Sequence, residues 1–284
     1  MTQPDPTTTI RACIIGWPVA HSRSPLIHGY WLERYRVAGG YVKRAVRPED
    51  VVAFLRGMRE EGLAGCNVTI PYKETAYAVA AEKTAAARAM GAANTLWFEG
   101  ERLYADNTDG AAFIEHLRAS VSGFDAGNCP VAVLGAGGAA RAIVYALLDA
   151  GVPEVRIFNR TRDRADVVAR HFGGRVSPHD WHHRVDRSRD VGMLVNATSL
   201  GMKGSDWLDM DISGLSPDCI VADLVYVPLE TPLLLAARAR GLASVDGLGM
   251  LLHQAVPGFE KWFGVRPRVT DELRALLVAD IESR

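Results

Sequence analysis

Long apolar runs are missing from this 284-residue sequence. None reaches the roughly 18 residues a membrane-spanning helix needs, so neither a transmembrane segment nor a membrane partner is expected. A dominant charge is missing too. Lys and Arg number 32 against 33 Asp and Glu, a formal net charge of −1, without the basic field that nucleic acid or an anionic membrane surface would call for. Cysteine is scarce. Cys13, Cys66, Cys129 and Cys219 stand apart with no C-x-x-C pair, which suits reduced thiols in a cytoplasmic protein better than a disulfide framework. The opening MTQPDPTTT carries no cationic segment and reads as a short loose tail, not a signal peptide. What remains is 48% hydrophobic and 23% charged, ordinary for a soluble globular chain long enough for two domains.

The stretch that organises the chain is Val131 to Arg141, VAVLGAGGAAR. Val131 to Leu134 has strand length and composition. Gly135-Ala136-Gly137-Gly138-Ala139-Ala140 fits G-x-G-x-x-A, and Ala140, Ile143, Val144, Leu147 and Leu148 then fall on one helical face that ends near Gly151. Gly135 suits a tight turn, Gly137 lets a pyrophosphate approach the backbone, and Ala140 lets helix and strand pack closely. Amide groups at the helix start, backed by the helix dipole, favour an anion. A glycine-rich turn without a ligand is the alternative, but the strand–turn–helix context points to a dinucleotide. A second strand, Val155 to Phe158, leads into Asn159-Arg160-Thr161-Arg162-Asp163-Arg164. An NAD binder usually places an acid at this strand end for the ribose 2′-hydroxyl. Here an asparagine and three arginines stand instead, and guanidinium groups suit a 2′-phosphate. The cofactor read from these residues is NADP(H); a solvated arginine face is the competing reading.

Upstream, Ile10 to Ile15 reads as a strand. Ser24 before Pro25 reads as the N-cap of a helix reaching about Tyr35, which would set the Ser22 and Ser24 hydroxyls at a helix N-terminus suited to a carboxylate, if they do more than cap and turn. Tyr41 to Val46 is a second strand. Leu63 to Ile70 is a third, ending in Asn67-Val68-Thr69-Ile70-Pro71-Tyr72-Lys73. Lys73 falls in the first turn of the next helix, against its dipole, which hints at a function where a solvated lysine is the default. Asn94 and Asp109 flank a hairpin turning at Glu99-Gly100; Asp109 also suits an N-cap. Strands at Met193 to Val195 and Ile220 to Val225 follow, the first running into Asn196-Ala197-Thr198. A helix at about Thr231 to Arg240 comes next, then a turn at Asp246 to Met250, then a helical segment carrying Gln254. The alternation implies α/β architecture with mostly parallel sheet. The α/β pattern before residue 110 reads as one domain and the nucleotide unit from 111 to 247 as another. His179, His182 and His183 have a conceivable ligand spacing but read as a solvated polar stretch, with no metal expected.

Taken together these motifs, spread from Gly16 to Gly264, resemble the shikimate dehydrogenase family. The resemblance implies an N-terminal substrate domain, a Rossmann-like NADP domain, a C-terminal helical segment (248–284) returning to the first domain, and a site in the cleft between domains. It implies that Ser22 and Ser24 bind the substrate carboxylate, that Thr69, Asn94, Tyr226 and Gln254 line the substrate, and that Lys73 and Asp109 are catalytic. On the cofactor side it implies Gly135, Ala136, Gly137, Gly138 and Ala139, the selective Asn159, Arg160, Thr161 and Arg164, and Thr198, Gly247 and Met250. Two departures stand out, Gly29 where the family usually has asparagine and Ala255 where glycine is common; both bear on helix packing more than on chemistry. The implied reaction is NADPH-dependent, reversible reduction of 3-dehydroshikimate to shikimate in chorismate and aromatic amino acid biosynthesis. Alternatives are a quinate or aminoshikimate dehydrogenase of the same build, with NAD or NADP, and a non-catalytic NADPH sensor, which would have no need of Lys73 with Asp109. The only partner expected is the small-molecule substrate; a homodimer stays open.

Overall fold

The computed structural model describes residues 9–127 and 129–283. Residues 1–8, which make up most of the expected loose tail, lie outside the described residues. The chain divides into two compact units: one runs to Thr108 and takes in Gln254–Ala279, the other holds Asp109–His253 and the residues from Asp280.

The first unit contains β1 (Ile10–Gly16), α1 (Ser24–Arg34), β2 (Gly39–Ala45), α2 (Val51–Gly57), β3 (Leu63–Val68), α3 (Lys73–Val79), the short β4 (Glu82–Lys83), α4 (Ala85–Met90), β5 (Thr95–Glu99) and β6 (Arg102–Asp106). Its sheet runs β2-β1-β3-β5-β6-β4. β1 lies parallel to β2 and β3, but β5 is antiparallel to both β3 and β6. β4 lies parallel to β6, so the sheet is mixed, with its antiparallel part at the hairpin expected at Glu99-Gly100. The tight turn at Gly100 (φ +61°) accounts for the antiparallel β5–β6 pair, since a turn this short joins only antiparallel neighbours.

The second unit contains α5 (Asp109–Ser120), β7 (Val131–Leu134), α6 (Gly138–Asp149), β8 (Val155–Asn159), α7 (Arg162–Phe172), β9 (Val176–Asp180), β10 (Met193–Asn196), β11 (Ile220–Asp223), α8 (Pro232–Ala239), β12 (Ser244–Val245) and α9 (Gly247–His253). Its strands are all parallel, in the order β9-β8-β7-β10-β11-β12. Counted from β7, that is the 3-2-1-4-5-6 order of doubly wound dinucleotide-binding folds, reversing direction between β7 and β10. Val131 and Val133 pack with α5 and α6, while Ala132 and Leu134 pack with Leu233 and Ala237 of α8. With both faces covered, β7 reads as an unbroken apolar run.

The C-terminal part is helical as expected but departs from the expected turn at Asp246 to Met250. Asp246 caps α9 instead, its Oδ1 accepting the Leu248 and Gly249 amides at 2.9 and 3.3 Å. α9 packs on α5: a Cβ on Gly249 would fall 2.0 Å from the His116 ring, and one on Gly247 2.1 Å from the Leu224 carbonyl oxygen. Residues 248–253 thus go with the second unit. Two further helices follow, α10 (Ala255–Phe263) and α11 (Asp271–Glu282). α10 is fixed to the first sheet by Trp262, whose indole N–H donates to the Leu96 carbonyl at 2.8 Å. Gly65 leaves the room for that approach. The two departures from the family pattern are harmless. Ala255 is buried in α10, and Gly29 lies exposed on α1 with open space where a side chain would go.

Candidate active site

In the first unit the candidate residues gather at one end of the sheet. α1 begins at Ser24 with Arg23 in the cap position and no side-chain cap bond, so Ser24 is the first helical residue and not the N-cap expected. Instead Ser22 Oγ accepts the Ser24 amide (3.3 Å) and its hydroxyl donates to Ser24 Oγ (3.2 Å). Ser24 also acts on the phenol of Tyr41, a buried group held above its ordinary pKa by desolvation and by the nearby thiols of Cys13 and Cys66. Tyr41 donates to Asn67 Oδ1 at 2.6 Å. Asn67 donates in turn to the Asn94 carbonyl and to Thr95 Oγ1, both at 3.2 Å. The Asn94 amide meets Thr108 Oγ1 and the Thr108 backbone N–H at 3.0 Å. Thr108 Oγ1 donates to the Gln254 carbonyl at 2.9 Å, which fastens Gln254 at the start of α10.

Thr69 follows β3, its amide donating to the Ile15 carbonyl (2.9 Å). A Cβ on Gly16 would sit 2.5 Å from the Thr69 methyl, so only glycine admits this contact. Lys73, half-buried, opens α3, and its carbonyl accepts the Ala93 amide (2.8 Å), beside Asn94. One hydrogen-bonded web thus runs from Tyr41 through Asn67, Asn94 and Thr108 to Gln254, with the Ala93 amide next to Asn94 donating to the Lys73 carbonyl, while Ser22 and Ser24 form a separate bonded pair near Tyr41. Tyr41, Asn67 and Thr108 carry the web and were missed as support; nothing local in the sequence marks Tyr41 and Asn67, 26 residues apart, as partners. Asp109, half-buried, is the first residue of α5 in the second unit, next in the chain after Thr108.

In the second unit the glycine-rich turn sits at the switch point. Gly135 has φ +106°, and a Cβ there would lie 3.0 Å from both the Ala197 carbonyl oxygen and the Thr198 methyl. Glycine is needed on both counts. Ala136 is half-buried, whereas Gly137, Gly138 and Ala139 are exposed, and nothing stands within 4 Å of where a side chain on Gly137 or Gly138 would begin. Gly137 caps α6 and Ala140 is fully buried against the sheet. The amides of the first turn of α6 are thus open to an anion. At the end of β8, Asn159 Nδ2 donates to the Thr161 carbonyl at 2.8 Å. Thr161 is the N-cap of α7, with no side-chain cap bond. Arg162 is committed to Asp166 (3.0 Å) and Asp180 (3.5 Å). Among the described residues, Arg160 and Arg164 carry no ion pair, and both are exposed. A 2′-phosphate fits this set: open amides for the pyrophosphate and, past the end of β8, the Arg160 and Arg164 guanidinium groups, with asparagine in place of an acid at Asn159 itself. Thr198 adjoins Gly135, Met250 is half-buried on α9, and Tyr226 is half-buried just past β11.

The histidine-rich stretch acquires a carboxylate that spacing did not reveal. Asp180, His182 and His183 bring ligand atoms within 4.8 Å of one another. Arg162 sits on that carboxylate, where a divalent cation would need it.

Strand order and glycine turn define a dinucleotide-binding protein of the Rossmann class. Family models narrow this: the shikimate dehydrogenase substrate binding domain matches residues 14–96, shikimate / quinate 5-dehydrogenase residues 118–200, and the shikimate 5′-dehydrogenase C-terminal domain residues 247–277. A shikimate dehydrogenase (NADP(+)) of Azorhizobium caulinodans is 53% identical over 96% of this chain and 98% of its own. A Thermus thermophilus shikimate 5-dehydrogenase solved with NADP(H) and shikimate is 34% identical, covers 97% of this chain and 99% of its own, and superposes with a TM-score of 0.82. A quinate dehydrogenase of Corynebacterium glutamicum in complex with NAD is 29% identical over 95% and 99%, with a TM-score of 0.88. The chain belongs to the shikimate dehydrogenase family. Among the described residues no helix is long and apolar enough to cross a membrane.

Proposed function

We propose that this protein is an NADP-dependent shikimate dehydrogenase, reducing 3-dehydroshikimate to shikimate reversibly on the route to chorismate and the aromatic amino acids, in the cytoplasm. The observation that carries this is the set of hydroxyls and amides in the first unit suited to a polyhydroxylated ring acid: the Ser22–Ser24 pair, and the web from Tyr41 through Asn94 to Gln254, whose Asn94 follows the Ala93 amide bonded to the Lys73 carbonyl. Bound NADPH supplies the hydride. Ser22 and Ser24 take the carboxylate; Thr69, Asn94, Gln254 and Tyr226 orient the ring. The Lys73 ammonium polarises the ketone oxygen and gives it a proton as the alkoxide forms, and Asp109 holds that ammonium in line. On the cofactor side Gly135 to Ala139, with Thr198, Gly247 and Met250, shape the binding surface. Asn159, Arg160, Thr161 and Arg164 select the 2′-phosphate.

A second reading, quinate oxidation with NAD, is favoured by the likeness to the quinate dehydrogenase fold. Ser24 weighs against it, because quinate-using relatives often replace the second serine. One experiment separates the two: cofactor oxidation followed at 3-dehydroshikimate with NADPH and with NADH, and the reverse reaction with shikimate and with quinate. Preference for NADPH and shikimate is expected. Preference for NADH and quinate would overturn the reading.

A further inference from the structure

β10 and β11 lie side by side with Asn196 opposite Asp223 at their carboxyl ends. Both side chains are buried, Asn196 completely and Asp223 to 1% exposure. An aspartate in such a place is costly unless every oxygen finds a donor, and here each does. Oδ1 accepts the Asn196 amide at 2.9 Å and the Val225 backbone N–H at 3.0 Å, and Oδ2 accepts the Thr231 hydroxyl at 2.7 Å. Burial raises the Asp223 carboxyl above its ordinary value, while these donors pull it back.

The consequence lies one step further out. The second amide hydrogen of Asn196 goes to the Leu200 carbonyl at 3.1 Å. With both amide hydrogens spent, the amide has one orientation, and its oxygen must point at Thr198. There it accepts the Thr198 backbone N–H at 3.1 Å and hydroxyl at 2.7 Å. Thr198 Oγ1 also accepts the Leu200 amide at 3.0 Å. The hydroxyl of Thr198 is therefore turned inward, and its methyl faces the glycine turn at Gly135. On the other side, the Val225 amide held by Asp223 fixes the backbone one residue before Tyr226.

We propose that Asp223 is a positioning residue for the reaction: through Asn196 it sets Thr198 against the cofactor turn, and through the Val225 amide it sets Tyr226 for the substrate. This rests on the reading of Thr198 as a wall of the cofactor site. Asp223 touches neither ligand in this scheme; it couples the two loops that do. A buried carboxylate with three donors is better suited to that coupling than a neutral side chain, because hydrogen bonds to a charged acceptor are the stronger ones.

The test measures NADPH affinity by fluorescence, with kcat and both KM values, for Thr198→Phe, Thr198→Val, Asp223→Leu and the double variant Thr198→Val with Asp223→Leu. Thr198→Phe should abolish NADPH binding; unchanged affinity would overturn the placement of Thr198 and this proposal with it. Thr198→Val keeps the shape and cuts the link to Asn196, and should weaken NADPH about 2–10-fold. Asp223→Leu should raise KM for NADPH and for 3-dehydroshikimate roughly 10–100-fold. The double variant should bind NADPH no more weakly than Asp223→Leu alone, because both cut one chain of contacts. A merely structural role would lower the active fraction and kcat but leave both KM values in place. That outcome, or effects of the two substitutions that multiply, would overturn the proposal while leaving the Thr198→Phe result standing. Should Asp223→Leu fail to fold, the cycle runs with Asp223→Asn. Its amide oxygen still accepts Asn196 and Val225 and only the Thr231 contact changes, so a smaller loss with the same non-additivity is expected.

Discussion

His28 is fully buried on α1, stacked 3.9 Å from the Tyr41 ring and surrounded by Trp31, Phe259 and Trp262. Neither ring nitrogen meets a hydrogen-bond partner, although Asn67 lies near enough to favour the charged form slightly. Burial dominates and lowers its pKa from 6.5 to about 3. The folded state thus prefers the neutral ring. The unfolded chain takes up the proton near pH 6.5, so the contribution of His28 to stability is complete above that pH. It drains away as the pH falls from 6.5 toward 3. At 1.36 kcal/mol per pKa unit, and with the unfolded group titrating about 1.5 units above pH 5, the loss between pH 7.5 and pH 5 is about 2 kcal/mol. The measurement is urea unfolding at a series of pH values, followed by tryptophan fluorescence, for the wild type and for His28→Leu. Leucine cannot titrate and the other groups are common to both proteins, so the difference between the two curves isolates this ring. The wild type should lose about 2 kcal/mol more than the variant over that window. Parallel pH curves would show that the ring is hydrated or partnered in the folded state, and the argument from burial would fail.

Lys73→Ala should lower kcat by roughly 10²–10⁴-fold, the range for a positioned proton donor; steady-state rates near wild type would remove Lys73 from the mechanism. Arg160→Ala should weaken NADPH roughly 10–100-fold and leave NADH almost untouched. Equal weakening of both cofactors in a binding titration would contradict a 2′-phosphate contact. Gly249→Ala forces a methyl group onto the His116 ring, 2.0 Å away. It should cost about 1–3 kcal/mol by overpacking, read as a lower thermal midpoint; an unchanged midpoint would mean that α9 does not press on α5 as described.

The nucleotide half was legible because its evidence is local. From Val131 to Arg141 the strand, the turn and the helix follow one another without interruption, and β7 announces double burial by being apolar throughout. The substrate half was legible in its chemistry but not in its support. Tyr41 reaches Asn67 across 26 positions and Thr108 reaches Gln254 across 146, distances at which no periodicity or spacing leaves a trace. The glycines make the limit sharper. Gly135 and Gly249 look alike in the letters, each in a short glycine-rich run, and both were read as turn residues. Gly135 does turn, at φ +106°. Gly249 is helical, and what it needs is the absence of a Cβ beneath His116. A backbone requirement is set by the residue itself, so neighbouring letters can betray it. A steric requirement is set by whatever packs above, here a histidine 133 residues earlier in the chain, and only the folded neighbour distinguishes the two. The same division separates Thr198 from Asp223: the first adjoins a motif and could be found from it, whereas the second acts through Asn196 and emerges only when the strands are paired.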